Sequence, residues 1–252
     1  MLLGMLCMAQ AKDRIVERPP FLAQNSSSIE IDKIVMSDTV TTVYIKAFYR
    51  PKYWIKIATG SVLKDNNGIL YPIRKGIGIT LDKEFWMPES GEAEFQLTFP
   101  PIPQNVTRLD FSEGDFEGAY KIWGIQLDKK SFGKFKLPKD VIVPKADHKM
   151  TLPDPIVKYD KAILKGRILD YQKGMPDKGS LYYQDVIREG AQEGKIRIQD
   201  DGTFYHEMNV FMITPCTIMF PFGTIEYLLA PGETTSIVIN LRENARKQSH
   251  LR

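Results

Sequence analysis

Residues 94–99 read Glu94-Phe95-Gln96-Leu97-Thr98-Phe99, with an apolar side chain at every second position. Successive side chains of a strand point to opposite faces, so this spacing buries one face and wets the other. The same alternation recurs in residues 43–47, 77–81 and 123–127, and helical spacing is almost absent. Asn67-Gly68 lies between the strand-like stretches 54–63 and 69–73 and supplies the positive-φ residues that a tight hairpin needs. The chain is therefore expected to be all-β.

Working outward, residues 131–160 change character: Pro138, Pro144, Pro153 and Pro155 remove backbone donors, and charges interrupt any apolar face. This predicts an extended Pro-rich linker. Strand signals resume at residues 162–168. Further on, stretches 195–199 and 203–210 flank Asp200-Asp201-Gly202, and Pro231-Gly232 turns 225–230 back onto 236–241. A chain of 252 residues exceeds the usual single domain, so two units are expected. The reading is of two sandwich-like, immunoglobulin-like modules, residues 26–130 and 161–241, joined by the linker. Asn240 with Glu243 three places on approximates a capping box, which predicts the start of a short helix in the tail, residues 242–252.

An apolar share of 43% and a charged share of 26% exclude disorder and collagen-like repeats. The net charge of +3 comes from basic residues scattered along the chain, which gives no nucleic-acid footprint. No segment has the run of roughly 20 apolar residues that a membrane-spanning helix needs. Residues 1–11 form a short apolar run ending in Ala9-Gln10-Ala11, the small-x-small pattern of a signal peptidase site. This reads as a signal-peptide remnant and predicts export to the periplasm or cell envelope. Cys7 would leave with it, and Leu6 does not fit the residue ahead of a lipidated cysteine. Cys216 is then the single mature thiol.

Cys216 stands in an apolar stretch with no second cysteine nearby to resolve a mixed disulfide, so it is expected to be a buried, inert hydrophobe. His148, His206 and His250 show no metal-ligand spacing. Glu113, Asp115 and Glu117 alternate and would share a side in an extended segment, which makes them a weak calcium candidate against the simpler reading of a solvated acidic turn. No nucleophile elbow, phosphate-cradling loop or other catalytic motif occurs, so neither a catalytic residue nor a cofactor is assigned. Binding character is concentrated in Tyr49, Arg50, Lys52, Tyr53 and Trp54, joined by Trp86. Such aromatics stack on sugar rings or receive a protein strand. In the blander reading they alternate into the core and the cations are merely solvated.

Several segments carry a resemblance when taken together: Glu17-Arg18-Pro19-Pro20-Phe21, the stretch 44–58, the stretch 70–103, residues 111–127, Asp200-Asp201-Gly202-Thr203-Phe204 and residues 226–243. They resemble the N-terminal β-rich region of the envelope TlpA-like thiol-disulfide reductases of Bacteroidetes-type bacteria. The resemblance implies β-rich modules that precede a helical segment and a thioredoxin-like domain bearing Cys-x-x-Cys. That motif is absent here, so no catalytic residue carries over, and the chain would be the N-terminal part of a longer protein. Two functions are expected. One is a non-catalytic accessory region that positions a thioredoxin-like domain or its client. The other is a stand-alone envelope protein that binds a glycan or a protein partner.

Overall fold

The computed structural model describes residues 13–128, 136–139, 141, 157–184 and 190–251. The signal-peptide remnant and most of the Pro-rich linker lie outside these residues. Two compact units divide the chain: Met1–Phe132 with Gln248–Arg252, and Gly133–Lys247.

The first unit opens with β1 (Arg14–Glu17), β2 (Ala23–Gln24), β3 (Ile29–Met36), β4 (Thr41–Phe48), β5 (Trp54–Ile55) and β6 (Val62–Asp65). It continues with β7 (Leu70–Pro72), β8 (Lys75–Ile77), β9 (Phe85–Trp86), β10 (Glu92–Phe99), β11 (Arg108–Ser112) and β12 (Lys121–Gln126). These build two five-stranded sheets, in the orders β1-β3-β4-β10-β8 and β2-β12-β11-β6-β7, and a separate ribbon of β5 with β9. The strands β1 and β2 precede residue 26, so the unit begins earlier than its hydrophobic alternation indicates.

Alternation accounts for the core. Along β4 every second residue is buried, and Val43, Ile45 and Ala47 point inward with Phe95, Leu97 and Phe99 of β10. The other sheet contributes Leu63, Leu109, Phe111 and Ile125. Both β strands and sandwich layers are thus as the period-2 pattern requires.

Three local expectations change. The alternating stretch 77–81 leaves the sheet at Ile77, because Gly78 adopts φ 83° and turns the backbone away. In β12 the alternation does not separate two faces: Gly124 (φ 67°) forms a bulge against β11, and Gln126 is buried along with Trp123 and Ile125. The stretch 54–63 is two strands, β5 and β6, in different sheets. The Asn67-Gly68 hairpin joins β6 to β7, with Gly68 at φ 85° and Asp65 Oδ1 accepting from Asn67 N and Ile69 N at 2.8 and 2.9 Å.

The second unit comprises β13 (Asp160–Leu169), β14 (Lys178–Gln184), β15 (Ala191–Arg197), β16 (Thr203–Val210), β17 (Thr214–Phe220), β18 (Gly223–Leu229), β19 (Thr234–Asn240) and, as far as Lys247, α1 (Leu241–Gln248). Its sheets have the orders β16-β13-β19 and β15-β14-β17-β18. Both turn signals reverse the chain but join strands of different sheets. Across Asp200-Asp201-Gly202, β15 pairs with β14 while β16 pairs with β13, and a single bridge, Ile198↔Phe204, links the two arms. Pro231-Gly232 likewise carries β18 over to β19, which lies parallel to β13. Turn chemistry sets the reversal and leaves the hydrogen-bonding partner to the packing.

The helix starts where its cap places it. Asn240 Oδ1 accepts from Glu243 N at 3.2 Å, and Leu241 and Ala245 are buried. The C-terminal residues of the first unit are fixed by Glu30, which is buried: its carboxylate accepts from Ser249 Oγ and His250 N, both at 2.6 Å. The His250 ring stacks on Phe48 at 4.5 Å between centroids.

Candidate functional site

Arg50-Pro51-Lys52-Tyr53 forms a tight turn closed by Tyr53 N donating to Arg50 O at 3.2 Å. Proline suits the second position of such a turn, and in the type II form the third requires positive φ. Lys52 occupies that third position at φ 63°, a region that L side chains rarely adopt. Its ammonium pairs with Glu89 at 3.1 Å, both side chains being exposed. The turn delivers the chain into β5, where Trp54 lies directly opposite Trp86 of β9 and Ile55 opposite Phe85. Further bonds from Met87 N to Tyr53 O (2.8 Å) and from Lys52 N to Met87 O (3.2 Å) extend the ribbon.

Opposed residues of an antiparallel pair share a face, with Cβ atoms about 4.5–5.5 Å apart. One face of the ribbon is therefore anchored: Ile55 is buried, and the Phe85 ring lies 6.3 Å from that of Phe95 in the core. The other face presents both indoles, Trp54 at 44% and Trp86 at 60% exposure. Tyr49 and Tyr53 are exposed as well, their rings edge to face at 6.3 Å, and the Arg50 guanidinium stands 5.7 Å from the Tyr53 ring. Tyr49 is tied back by its N–H to Gly91 O at 2.9 Å. Gly91 adopts φ 72°, and a Cβ there would meet Tyr49 O at 2.8 Å.

The six residues singled out from sequence thus lie on one turn and one ribbon, with their aromatic rings in solvent. The blander reading, in which these rings fill the core, does not hold. Glu89, Phe85 and Gly91 complete the arrangement. Phe85 is legible in sequence as the aromatic neighbour of Trp86, whereas no local pattern marks Glu89 or Gly91, because each acts through a partner distant in sequence.

The remaining candidates part company. Glu113 is buried, and its two carboxylate oxygens accept from Ala58 N and Tyr120 N, both at 2.9 Å. Burial raises its pKa, against the pull of those donors. Asp115 pairs with Lys121 at 2.8 Å, which lowers its pKa, and Glu117 is exposed. The three carboxylates do not converge, so the weak calcium candidate gives way to a structural role for Glu113. Among the described residues no group of three or more His, Cys, Asp or Glu side chains is placed to hold a metal.

Cys216 lies on β17 at 3% exposure, opposite Tyr227, with Sγ 3.5 Å from Thr214 O. Burial pushes its thiol up to about 11. His206 is half-buried on β16, and burial lowers its pKa. His148 lies outside the described residues.

The fold defines an all-β protein of sandwich-like units, and comparison with known proteins adds little to that class. No protein-family model and no curated protein matches the chain. Among solved structures it is similar to the pullulanase type I from Bacillus subtilis str. 168 complexed with maltose, at 8% identity and a TM-score of 0.27, over 80% of this chain and 24% of that one. It is also similar to a pullulanase complexed with maltotriose from Anoxybacillus sp. LM18-11, at 12% identity and a TM-score of 0.26, over 75% of this chain and 24% of that one. A third is the Bacillus anthracis TIE protein, at 9% identity and a TM-score of 0.22, over 90% of this chain and 40% of that one. The chain spans about a quarter of the length of these pullulanases. Likeness at such scores carries no argument about function. Among the described residues, no helix is long and apolar enough to cross a membrane.

Proposed function

We propose that the chain is a non-catalytic binding region of an exported protein, and that the Trp54–Trp86 ribbon takes a glycan as its ligand. The observation that carries this reading is the cross-strand pairing of two tryptophans, both exposed, on a ribbon whose other face is anchored. An indole exposes a large flat apolar surface, and leaving two of them in water is unfavourable unless something covers them. A sugar ring offers a matching apolar face of C–H groups, while its hydroxyls need donors and acceptors at the rim. Arg50, Lys52 and the hydroxyls of Tyr49 and Tyr53, on the exposed turn that leads into β5, are proposed to supply them. A partner strand fits less well: β5 and β9 are two residues each, too short for the main-chain ladder by which strands add to a sheet.

The resemblance noted above supports a wider setting. In it this binding region belongs to an envelope protein of the TlpA-like thiol-disulfide reductase type and positions a thioredoxin-like domain or its client. Thiol chemistry is not expected from Cys216, which is buried and held protonated. Ala9-Gln10-Ala11 supports export to the periplasm or cell envelope.

The test is retention of the purified chain on immobilised polysaccharides, with chito-, cello-, malto- and manno-oligosaccharides as competitors. Retention that one soluble series releases, and that Trp86→Ala abolishes, is expected. A chain retained by none of them, or a Trp86→Ala variant retained as well as the parent, contradicts the glycan reading. Cysteine-dependent turnover of a disulfide substrate by this chain contradicts the non-catalytic one.

A further inference from the structure

We infer that the outer face of the four-stranded sheet in the second unit is a separate binding groove for a single-chain anionic amphiphile, of the fatty-acid type. The inference is independent of the Trp54–Trp86 ribbon and rests on how the sheet's register distributes charge.

A groove of about 590 Å³ lies across β14, β15 and β17, within the range of small-molecule sites. Burial alternates along these strands: Leu181, Ile196, Ile218 and Phe220 face the core, so their neighbours face outward. On that outward face Lys178 lies directly opposite Arg197, and Ser180 lies opposite Lys195 on one side and Met219 on the other. One row across three strands therefore runs from an ammonium through a hydroxyl to a thioether. Tyr182 and Pro221 line the groove beside Met219, which is 51% exposed.

Two like charges directly opposite on neighbouring strands destabilise a sheet. Here a third cation, Lys195, is added two residues from Arg197, which leaves cations in excess of the carboxylates recorded beside them. The carboxylate recorded beside Arg197 is that of Asp177 at 3.8 Å, and Glu193 on the same face accepts from Ser180 Oγ at 3.3 Å. Among the described residues, neither Lys178 nor Lys195 has a carboxylate partner. A cluster of three cations with two carboxylates beside it among the described residues, continuous with an exposed apolar end at Met219, is complementary to a ligand with an anionic head and an apolar chain. The head would sit among Lys178, Lys195 and Arg197, with the chain crossing Ser180 onto Met219, Tyr182 and Pro221.

The experiment is calorimetric titration of the full chain with laurate below its micelle concentration, beside dodecanol and acetate. Saturable one-to-one binding of laurate is expected, with dodecanol weaker and acetate without measurable binding. Replacing both Lys195→Gln and Arg197→Gln, at exposed positions, should weaken laurate about tenfold or more, the loss of a charge-assisted contact. Met219→Glu should weaken it comparably, while Trp54→Ala should leave it unchanged. Absence of saturable laurate binding, equal affinity for the alcohol and the acid, or indifference to both sets of substitutions overturns the inference. So does sedimentation showing that the chain self-associates through this face, or displacement of laurate only by an acidic peptide that binds far more tightly.

Discussion

Trp54 and Trp86 are direct cross-strand neighbours on a ribbon of two-residue strands, and both are exposed, at 44% and 60%. A residue that stabilises the fold is usually buried, so these two contribute little to it. Replacing either with alanine should shift stability by no more than about 0.5 kcal/mol, as for other surface positions. Chemical denaturation of Trp54→Ala and Trp86→Ala checks this. A loss of several kcal/mol would mean that the indoles support the core and are not held out for a ligand.

Gly166 of β13 lies opposite Phe204 of β16, and a Cβ at position 166 would overlap the Phe204 ring. The glycine is the space into which the ring packs. Gly166→Ala should therefore destabilise the second unit by about 1–3 kcal/mol through overpacking. Pairing it with Phe204→Leu should recover part of that loss. Thermal denaturation of the single and double variants measures both, and a fully additive pair would rule out the contact as the cause.

Asp65 organises the turn between β6 and β7. Burial pushes its pKa up, but donation from Ile69 N, Asn67 N and the Tyr71 hydroxyl outweighs it and holds the carboxyl below 3.8. The folded state thus binds its proton less readily than the unfolded state. This contribution is complete above about pH 5 and is lost as pH falls through the lowered value. Asp65→Asn should cost about 1–3 kcal/mol near neutrality, from the impaired acceptor. It should also flatten the acid limb of stability against pH. Parallel acid limbs for parent and variant would show that Asp65 is not a source of the pH dependence.

Cys216 should be silent in the native state. Its thiol, pushed up to about 11 by burial, carries almost no thiolate at neutral pH and has almost no access to solvent. An aromatic disulfide reagent should label it only on the timescale of unfolding, with stoichiometric labelling in denaturant. Rapid native labelling would reopen a redox role for this chain.

The layers of the first unit are legible in sequence because β4, and β10 as far as Leu97, bury one face, and period 2 survives wherever that is so. It fails at β12, where a bulge at Gly124 and burial on both faces erase the alternation. The turn residues Asp201-Gly202 and Pro231-Gly232 announce reversals correctly but say nothing about which sheet each arm joins. The candidate site is legible in kind: Tyr49 to Trp54 and Trp86 are read as aromatic and basic residues that could form a surface. Their pairing is not, because each ribbon strand is two residues long and its partner lies far along the chain. The groove over β14, β15 and β17 is invisible for the same reason. Lys178, Lys195 and Arg197 are unremarkable in sequence and become a cluster only through strand register.

The three tryptophans of the chain make the central claim directly measurable. Trp54 and Trp86 are exposed on the ribbon, whereas Trp123 is 8% exposed within β12 and serves as an internal reference. Their indole N–H resonances can be followed while the oligosaccharide that best releases the chain from polysaccharide is titrated in. The account predicts that the Trp54 and Trp86 signals move together and saturate at one ligand concentration while Trp123 stays still. Binding that leaves Trp54 and Trp86 unmoved, or movement of Trp123 alone, would contradict it.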